Sequence, residues 1–339
     1  MKKAIILLLF TTLLAACAPG PLVSGESTPM MEIDNSFSGL GIKTPMMEID
    51  NNNISGLPIK TPMASFSLLN PNSVEALRLR SYGKGELTVK FTWENLPKFT
   101  RYYITYPSDG LTIHGFVNIP VGKGPFPVII ALHGYIPASE YKTRDYSTRY
   151  ADALAENGYI VLHPNMRNFP PSTLVDTLDL PDTVTAASNN LAGYTVDVLN
   201  LLALVRKQAG HPGIFKNADL GRLGIWGHSI GGGIAMRVLS ILPEIKAAVL
   251  ISAVSQRYLM ANAGYNIFDL SASRAAFSLH HGDSDTNIPP AWTKKLEQQL
   301  LALGKKVEYF TYPGQPHTLF GQSDTLFIKR MLDFFKANL

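Results

Sequence analysis

The chain has 339 residues, 46% of them apolar, and a formal charge of +4. That is enough apolar material for a sizeable core, in one large domain or two smaller ones at about 150 residues each. Removing Lys2 and Lys3 with the leader described next leaves +4 − 2 = +2, a charge so small and scattered that nucleic acid is excluded as a partner.

Lys2 and Lys3 form a positive n-region, and Ala4 to Ala16 is an apolar run shorter than the ~20 residues of a spanning helix. Leu14-Ala15-Ala16-Cys17 then resembles a bacterial lipobox, in which the cysteine becomes the lipidated first residue of the mature protein. Residues 1–17 are therefore expected to be a lipoprotein signal peptide. The expected location is the bacterial cell envelope, extracytoplasmic, with the membrane reached through lipid on Cys17. Several acyl chains anchor stably where one does not. Cys17 is the only cysteine, so no intramolecular disulfide supports the fold.

Residues 18–67 read as a tether. Thr28 to Asn35 recurs as Thr44 to Asn51, and a degenerate third copy starts at Thr61-Pro62-Met63. This 28–63 repeat is rich in Pro, Gly, Ser and Asn and lacks helical or strand periodicity, as a flexible spacer does. The catalytic domain is expected over 68–339. Glu86 to Trp93, Arg101 to Tyr106 and Leu111 to Ile119 alternate like strands, with Pro107-Ser108-Asp109-Gly110 as a turn, and together predict an antiparallel meander. Pro127 to Leu132 is continuously apolar, as a strand buried on both faces requires. A helix over Tyr146 to Asn157 and a strand over Tyr159 to Leu162 follow. The loop from Asn165 to about Val184 carries Asp176, Asp179 and Asp182 without the ligand spacing of a calcium site. Ala186 to Gln208 is helical in pattern.

Leu223 to Trp226 is the next apolar run, and Gly232 to Leu242 the next helical stretch. Between them stands Gly227-His228-Ser229-Ile230-Gly231. Strand, sharp turn and helix are the context a G-x-S-x-G nucleophile elbow needs, because the serine hydroxyl must project from the corner. Strands over Ala247 to Ser252, Ala275 to His280 and Val307 to Tyr312, with helices over Ala291 to Leu303 and Asp324 to Asn338, complete a β-α succession. That succession predicts a mostly parallel sheet covered by helices on both faces, with an antiparallel N-terminal edge. Ala253 to Arg274 is a long connection with several aromatic residues, either a small cap or a packed loop.

A serine hydroxyl needs a base, and the base needs a partner that fixes its tautomer. In α/β hydrolases these follow in the order Ser, Asp or Glu, His. Of the eight histidines, His114, His163, His211 and His228 are set aside by their place in a meander, a strand end, a turn and the elbow's variable position. His280 and His281 read as strand-end and turn residues rather than a metal pair. His317 follows the last predicted strand, at the sheet end where functional groups collect. The acid comes from His281-Gly282-Asp283-Ser284-Asp285, where both aspartates qualify by position. The backbone N–H of Ile230, at a helix N-terminus, is one oxyanion donor. The N–H of Tyr135, in Leu132-His133-Gly134-Tyr135, is the other, and its phenol is a further candidate.

These stretches, with Tyr106 to Gly115, Pro127 to Pro137 and Tyr312-Pro313-Gly314-Gln315-Pro316-His317, resemble the catalytic domain of the prolyl oligopeptidase family of serine hydrolases, from about Asn72 to the C-terminus. The resemblance implies an α/β-hydrolase fold. Its His-Gly-x-x-Asp pattern puts the acid on Asp285, and it maps a tyrosine near the oxyanion onto Tyr135. Two departures stand out: no β-propeller is apparent, and the family's Arg-Gly-x-Gly reads Arg167-Asn168-Phe169-Pro170. The expected activity is serine hydrolysis of a peptide or small ester through an acyl-enzyme on Ser229, with Asp285 and His317, and with no cofactor or metal. A carboxylesterase is the first alternative. A non-catalytic binding lipoprotein is the second, and it has no need of all four parts of the site.

Overall fold

The order in which strands enter the sheet decides where its two halves part. A computed structural model describes residues 70–137, 140–167, 184–255 and 268–339. Cys17, the repeat-bearing residues 18–67, Asp176, Asp179, Asp182 and residues 256–267 of the candidate cap lie outside the described residues.

The meander forms as its alternation predicts, as β1 (Thr88–Asn95), β2 (Phe99–Ser108) and β3 (Leu111–Pro120), paired antiparallel in sequence order. Then come β4 (Phe126–Leu132), α2 (Thr148–Glu156), β5 (Ile160–Pro164), α3 (Val184–Gln208), β6 (Ala218–His228), α4 (Ile230–Ile241), β7 (Ala247–Ile251), β8 (Ala276–Gly282), α5 (Pro290–Ala302), β9 (Val307–Tyr312) and α6 (Gly321–Asn338). The nine strands form one sheet in the order β1-β2-β3-β5-β4-β6-β7-β8-β9. β3 meets β5 antiparallel, and from β5 to β9 every pairing is parallel. This is the α/β-hydrolase-like architecture expected from the sequence.

The continuous apolar runs are explained by burial on both faces. In β4, Val128, Ile130 and Leu132 join a core shared with α3, α4 and α5, while Ile129 and Ala131 join a second core shared with α2 and α6. Each fully buried aliphatic side chain of this kind contributes about 1.5–3 kcal/mol. Every residue of α4 from Gly231 to Ile241 is buried, which is why that helix shows little polar periodicity.

Two elements differ from expectation. A short helix, α1 (Val74–Leu79), precedes the meander, capped by Ser73, which accepts from the Ala76 N–H at 3.1 Å. Six residues are too few for periodicity to register. β6 begins at Ala218, before its apolar stretch, because Ala218 and Asp219 pair with Phe126 and Pro127 of β4. That pairing uses backbone groups and leaves no side-chain pattern. Among the described residues no helix is long and apolar enough to cross a membrane.

The chain runs from β4 outward to β5, then returns to place β6 on the other side of β4. The C-terminal ends of β4 and β6 thus flank a topological switch point, the usual place for a ligand crevice in open α/β sheets.

Candidate active site

Ser229 is the single residue between the end of β6 and the start of α4, with φ 55° and ψ −120°. For a residue with a Cβ this conformation costs on the order of 1–3 kcal/mol and persists only where surroundings enforce it. Here the Ser229 N–H donates to the Ile251 carbonyl at 3.0 Å, and its carbonyl accepts from Gly232 and Val254, both at 3.0 Å. Gly231 allows the corner to close. A Cβ there would lie 2.3 Å from the Leu132 carbonyl oxygen and 2.5 Å from that of His133, so only glycine lets α4 press against the end of β4.

Asp285 lies in the loop after β8, and His317 in the loop after β9. His317 Nδ1 donates to Asp285 Oδ2 at 2.7 Å. The same oxygen accepts from His281 Nε2 at 3.0 Å, while Oδ1 accepts the N–H groups of Asn287 and Ile288, both at 2.9 Å. Burial pushes the Asp285 carboxyl up, but the bonds from His281, His317 and the Ile288 N–H outweigh it and hold the group far below the usual carboxylate range. Asp285 is therefore a carboxylate at any ordinary pH.

Asp283 faces elsewhere. Its Oδ1 accepts from the Gly314 N–H at 2.7 Å and from Ser284 Oγ at 3.1 Å. It braces the turn after β8 against the loop that carries His317. Gly282 permits that contact, since a Cβ there would lie 2.2 Å from the Gln315 carbonyl oxygen.

The loop that carries Tyr135, the candidate oxyanion donor, follows β4. A Cβ on Gly134 would lie 3.2 Å from Ser229 Cβ, so this loop borders Ser229. The Gly134 N–H is already committed, donating to Tyr146 Oη at 2.7 Å. Among the described residues the next N–H, that of Tyr135, makes no hydrogen bond. The Ile230 N–H opens α4 and has no carbonyl one turn earlier within the helix. The Tyr135 ring is exposed, and the phenol that meets Gly134 is that of Tyr146. Among the described residues no hydrogen bond joins Ser229 Oγ to His317; such contacts are often long without substrate and tighten on binding.

Three residues escape the sequence reading. His281 is fully buried, with its Nδ1 2.6 Å from Thr293 Oγ1; because Nε2 must donate to Asp285, the threonine hydroxyl donates to Nδ1. Its only sequence signal is the His-Gly-x-x-Asp pattern. Tyr146 opens the approach to α2 and carries no signal at all. His228, set aside as the elbow's variable residue, packs its ring 4.7 Å from that of His317 and places Nε2 3.0 Å from the His317 carbonyl oxygen. Among the described residues no three His, Cys, Asp or Glu side chains are arranged to hold a metal ion.

Burial, the largest cause in each case, lowers His163 to about 4 and His228 and His280 to about 3, from the ordinary 6.5. The folded chain thus binds these protons more weakly than the unfolded one. The associated stability is fully present above pH 6.5 and is lost as pH falls toward those folded values. The depressed Asp285 acts in the same sense below its unfolded value near 4. Stability is expected to fall between pH 7 and pH 5, by up to ~1.4 kcal/mol per histidine per pH unit below 6.5, and the urea midpoint with it. An unchanged midpoint would show that these rings are not held neutral.

Residues 113–337 match the family model described as the dienelactone hydrolase family. A curated relative from Synechocystis sp., named "Putative carboxymethylenebutenolidase", is 24% identical over 227 residues, covering 64% of this chain and 85% of the relative. An acylaminoacyl peptidase from Pyrococcus horikoshii superposes with a TM-score of 0.57 at 20% identity, over 72% of this chain and 42% of the peptidase, so the chain spans less than half of that protein. An acetyl xylan esterase from Paenibacillus sp. R4 gives 0.56 at 18% identity, over 78% of this chain and 92% of the esterase. At these identities the likeness is one of fold. The motifs resemble the prolyl oligopeptidase family, yet the family that matches is a different one, because elbow, acid and terminal histidine recur across the fold.

Proposed function

Because the chain belongs to the dienelactone hydrolase family, we propose that it is a serine hydrolase cleaving carboxylic esters, lactones included, through an acyl-enzyme on Ser229. The support is one observation: a strained serine at the switch point, on the same sheet edge as a histidine whose Nδ1 is held by a buried carboxylate. Ser229 Oγ attacks the acyl carbonyl as His317 Nε2 takes its proton. The tetrahedral oxyanion is held by the Ile230 and Tyr135 N–H groups. As the intermediate collapses, His317 returns the proton to the leaving alkoxide. Water then attacks the acyl-enzyme by the same route, releasing acid and free Ser229. Asp285 fixes the tautomer of His317 and offsets the charge of the imidazolium.

An ester is preferred to a peptide because a lactone is an internal ester and because an alkoxide needs less protonation to leave than an amine. Turnover of p-nitrophenyl acyl esters beside Pro- and Ala-ending peptide anilides tests this choice. Ester cleavage is expected to dominate, and faster cleavage of the anilides would overturn it. We also propose attachment to the cell envelope through lipid on Cys17, supported by residues 1–17 alone. Partition into detergent that persists in Cys17→Ala would remove that proposal.

A further inference from the structure

We infer that Tyr146 and His228 are positioning residues that tie the oxyanion loop to the loop carrying the catalytic base. The inference rests on the reading of Ser229 and His317 given above.

Three hydrogen bonds in series make the link. The Gly134 N–H donates to Tyr146 Oη at 2.7 Å. Tyr146 Oη bonds His228 Nδ1. His228 Nε2 lies 3.0 Å from the His317 carbonyl oxygen. Only one placement of protons satisfies all three. A carbonyl can only accept, so His228 Nε2 carries its proton. His228 is held neutral by burial, so Nδ1 is bare and accepts from the Tyr146 hydroxyl. Burial likewise keeps that phenol protonated. The Tyr146 oxygen then uses a lone pair for the Gly134 N–H, and every donor meets one acceptor.

The series runs from the end of β4, through the approach to α2 and the elbow, to the loop after β9. At one end it takes up the N–H of Gly134 and leaves that of Tyr135 for the oxyanion. At the other it pins the His317 backbone while Asp285 pins the ring, so the imidazole is held at two points. Tyr146 is itself anchored, since Arg149 donates to its carbonyl at 2.6 Å and pairs with Asp324 at 2.8 Å. The Tyr146 and His228 rings meet edge-on at 5.3 Å. Misplacing a reacting group by about 1 Å costs on the order of 10²-fold in rate.

The test is steady-state kinetics on p-nitrophenyl acyl esters well below the melting transition. Tyr146→Phe removes one oxygen and keeps the packing; it is expected to lower kcat about 10- to 100-fold with KM changed less than twofold. His228→Leu is expected to do the same. The double variant is expected to lose no more than the worse single one, because a series is broken only once. His228→Gln keeps an amide donor for the His317 carbonyl and is expected to recover most of the rate; should the leucine variant fail to fold, Tyr146→Phe carries the test. Tyr146→Phe or His228→Leu with kcat within twofold of the parent overturns the inference. So do losses that multiply in the double variant, since they mean independent roles. Ser229→Ala run alongside separates the two levels. If it turns over ester at a rate near the parent's and reacts with a fluorophosphonate, the reading of the site itself fails. If it falls by about 10⁶ while Tyr146→Phe is unaffected, only the positioning role fails.

Discussion

Ser229→Ala is expected to lower kcat on p-nitrophenyl esters by about 10⁶, with KM nearly unchanged. The size of the loss follows from the arrangement. His317 and Asp285 remain bonded to each other, but without Oγ they have no nucleophile to activate, and groups that act as a unit fail as a unit. A residual rate of about 10³–10⁴ over water is expected from the Ile230 and Tyr135 donors acting on a bound ester. The fold is expected to survive, because Ser229 is held by its backbone bonds to Ile251, Gly232 and Val254 rather than by its hydroxyl. Thermal melting beside the kinetics checks this. Persistent labelling by a fluorophosphonate would remove Ser229 from the role.

Asp285→Asn is expected to lower kcat by about 10⁴, and Asp283→Asn by less than 10-fold. Asp285 Oδ2 receives donors from both His317 and His281, and Oδ1 receives two backbone N–H groups. An asparagine has one oxygen for four donors, so its amide must face a donor. If it faces His317, the imidazole turns to the wrong tautomer and presents no base to Ser229. The depressed carboxyl of Asp285 adds a corollary: loss of activity above pH 5 cannot come from protonating this group. Asp283, by contrast, accepts from Gly314 N–H and Ser284 Oγ through one oxygen, which an asparagine carbonyl can replace. Kinetics on the two variants at one pH decide the matter, and a larger loss at Asp283 would reassign the acid.

Much of the scaffold was legible before the structure, because the signals are local. Alternation in Leu111 to Ile119 marks a strand, which forms although Gly115 to Asn118 are buried without a break, and the unbroken run from Pro127 to Leu132 marks one buried on both faces, as observed. The glycines of the elbow have a reason within a few residues of themselves and a second one across the sheet, where Gly231 touches β4. The fold class and the chain order of Ser229, Asp285 and His317 thus come from periodicity and spacing. Choosing Asp285 over Asp283 does not: before the structure it rests on the family resemblance through His-Gly-x-x-Asp alone. The two are neighbours on one loop, and which reaches His317 depends on how β8 and β9 bring two loops together.

By itself, then, the sequence determined a β-α hydrolase architecture with its elbow at a strand-helix corner, since propensity, period and glycine placement act over short stretches of chain. Only the tertiary structure decided what surrounds that corner. Tyr146 and His228 are 82 residues apart, and His228 and His317 are 89 apart. No periodicity relates such positions. They meet because β4 and β6 flank the switch point and the loops after β4, β6 and β9 gather on one edge of the sheet, where a hydrogen bond needs only proximity and a free lone pair.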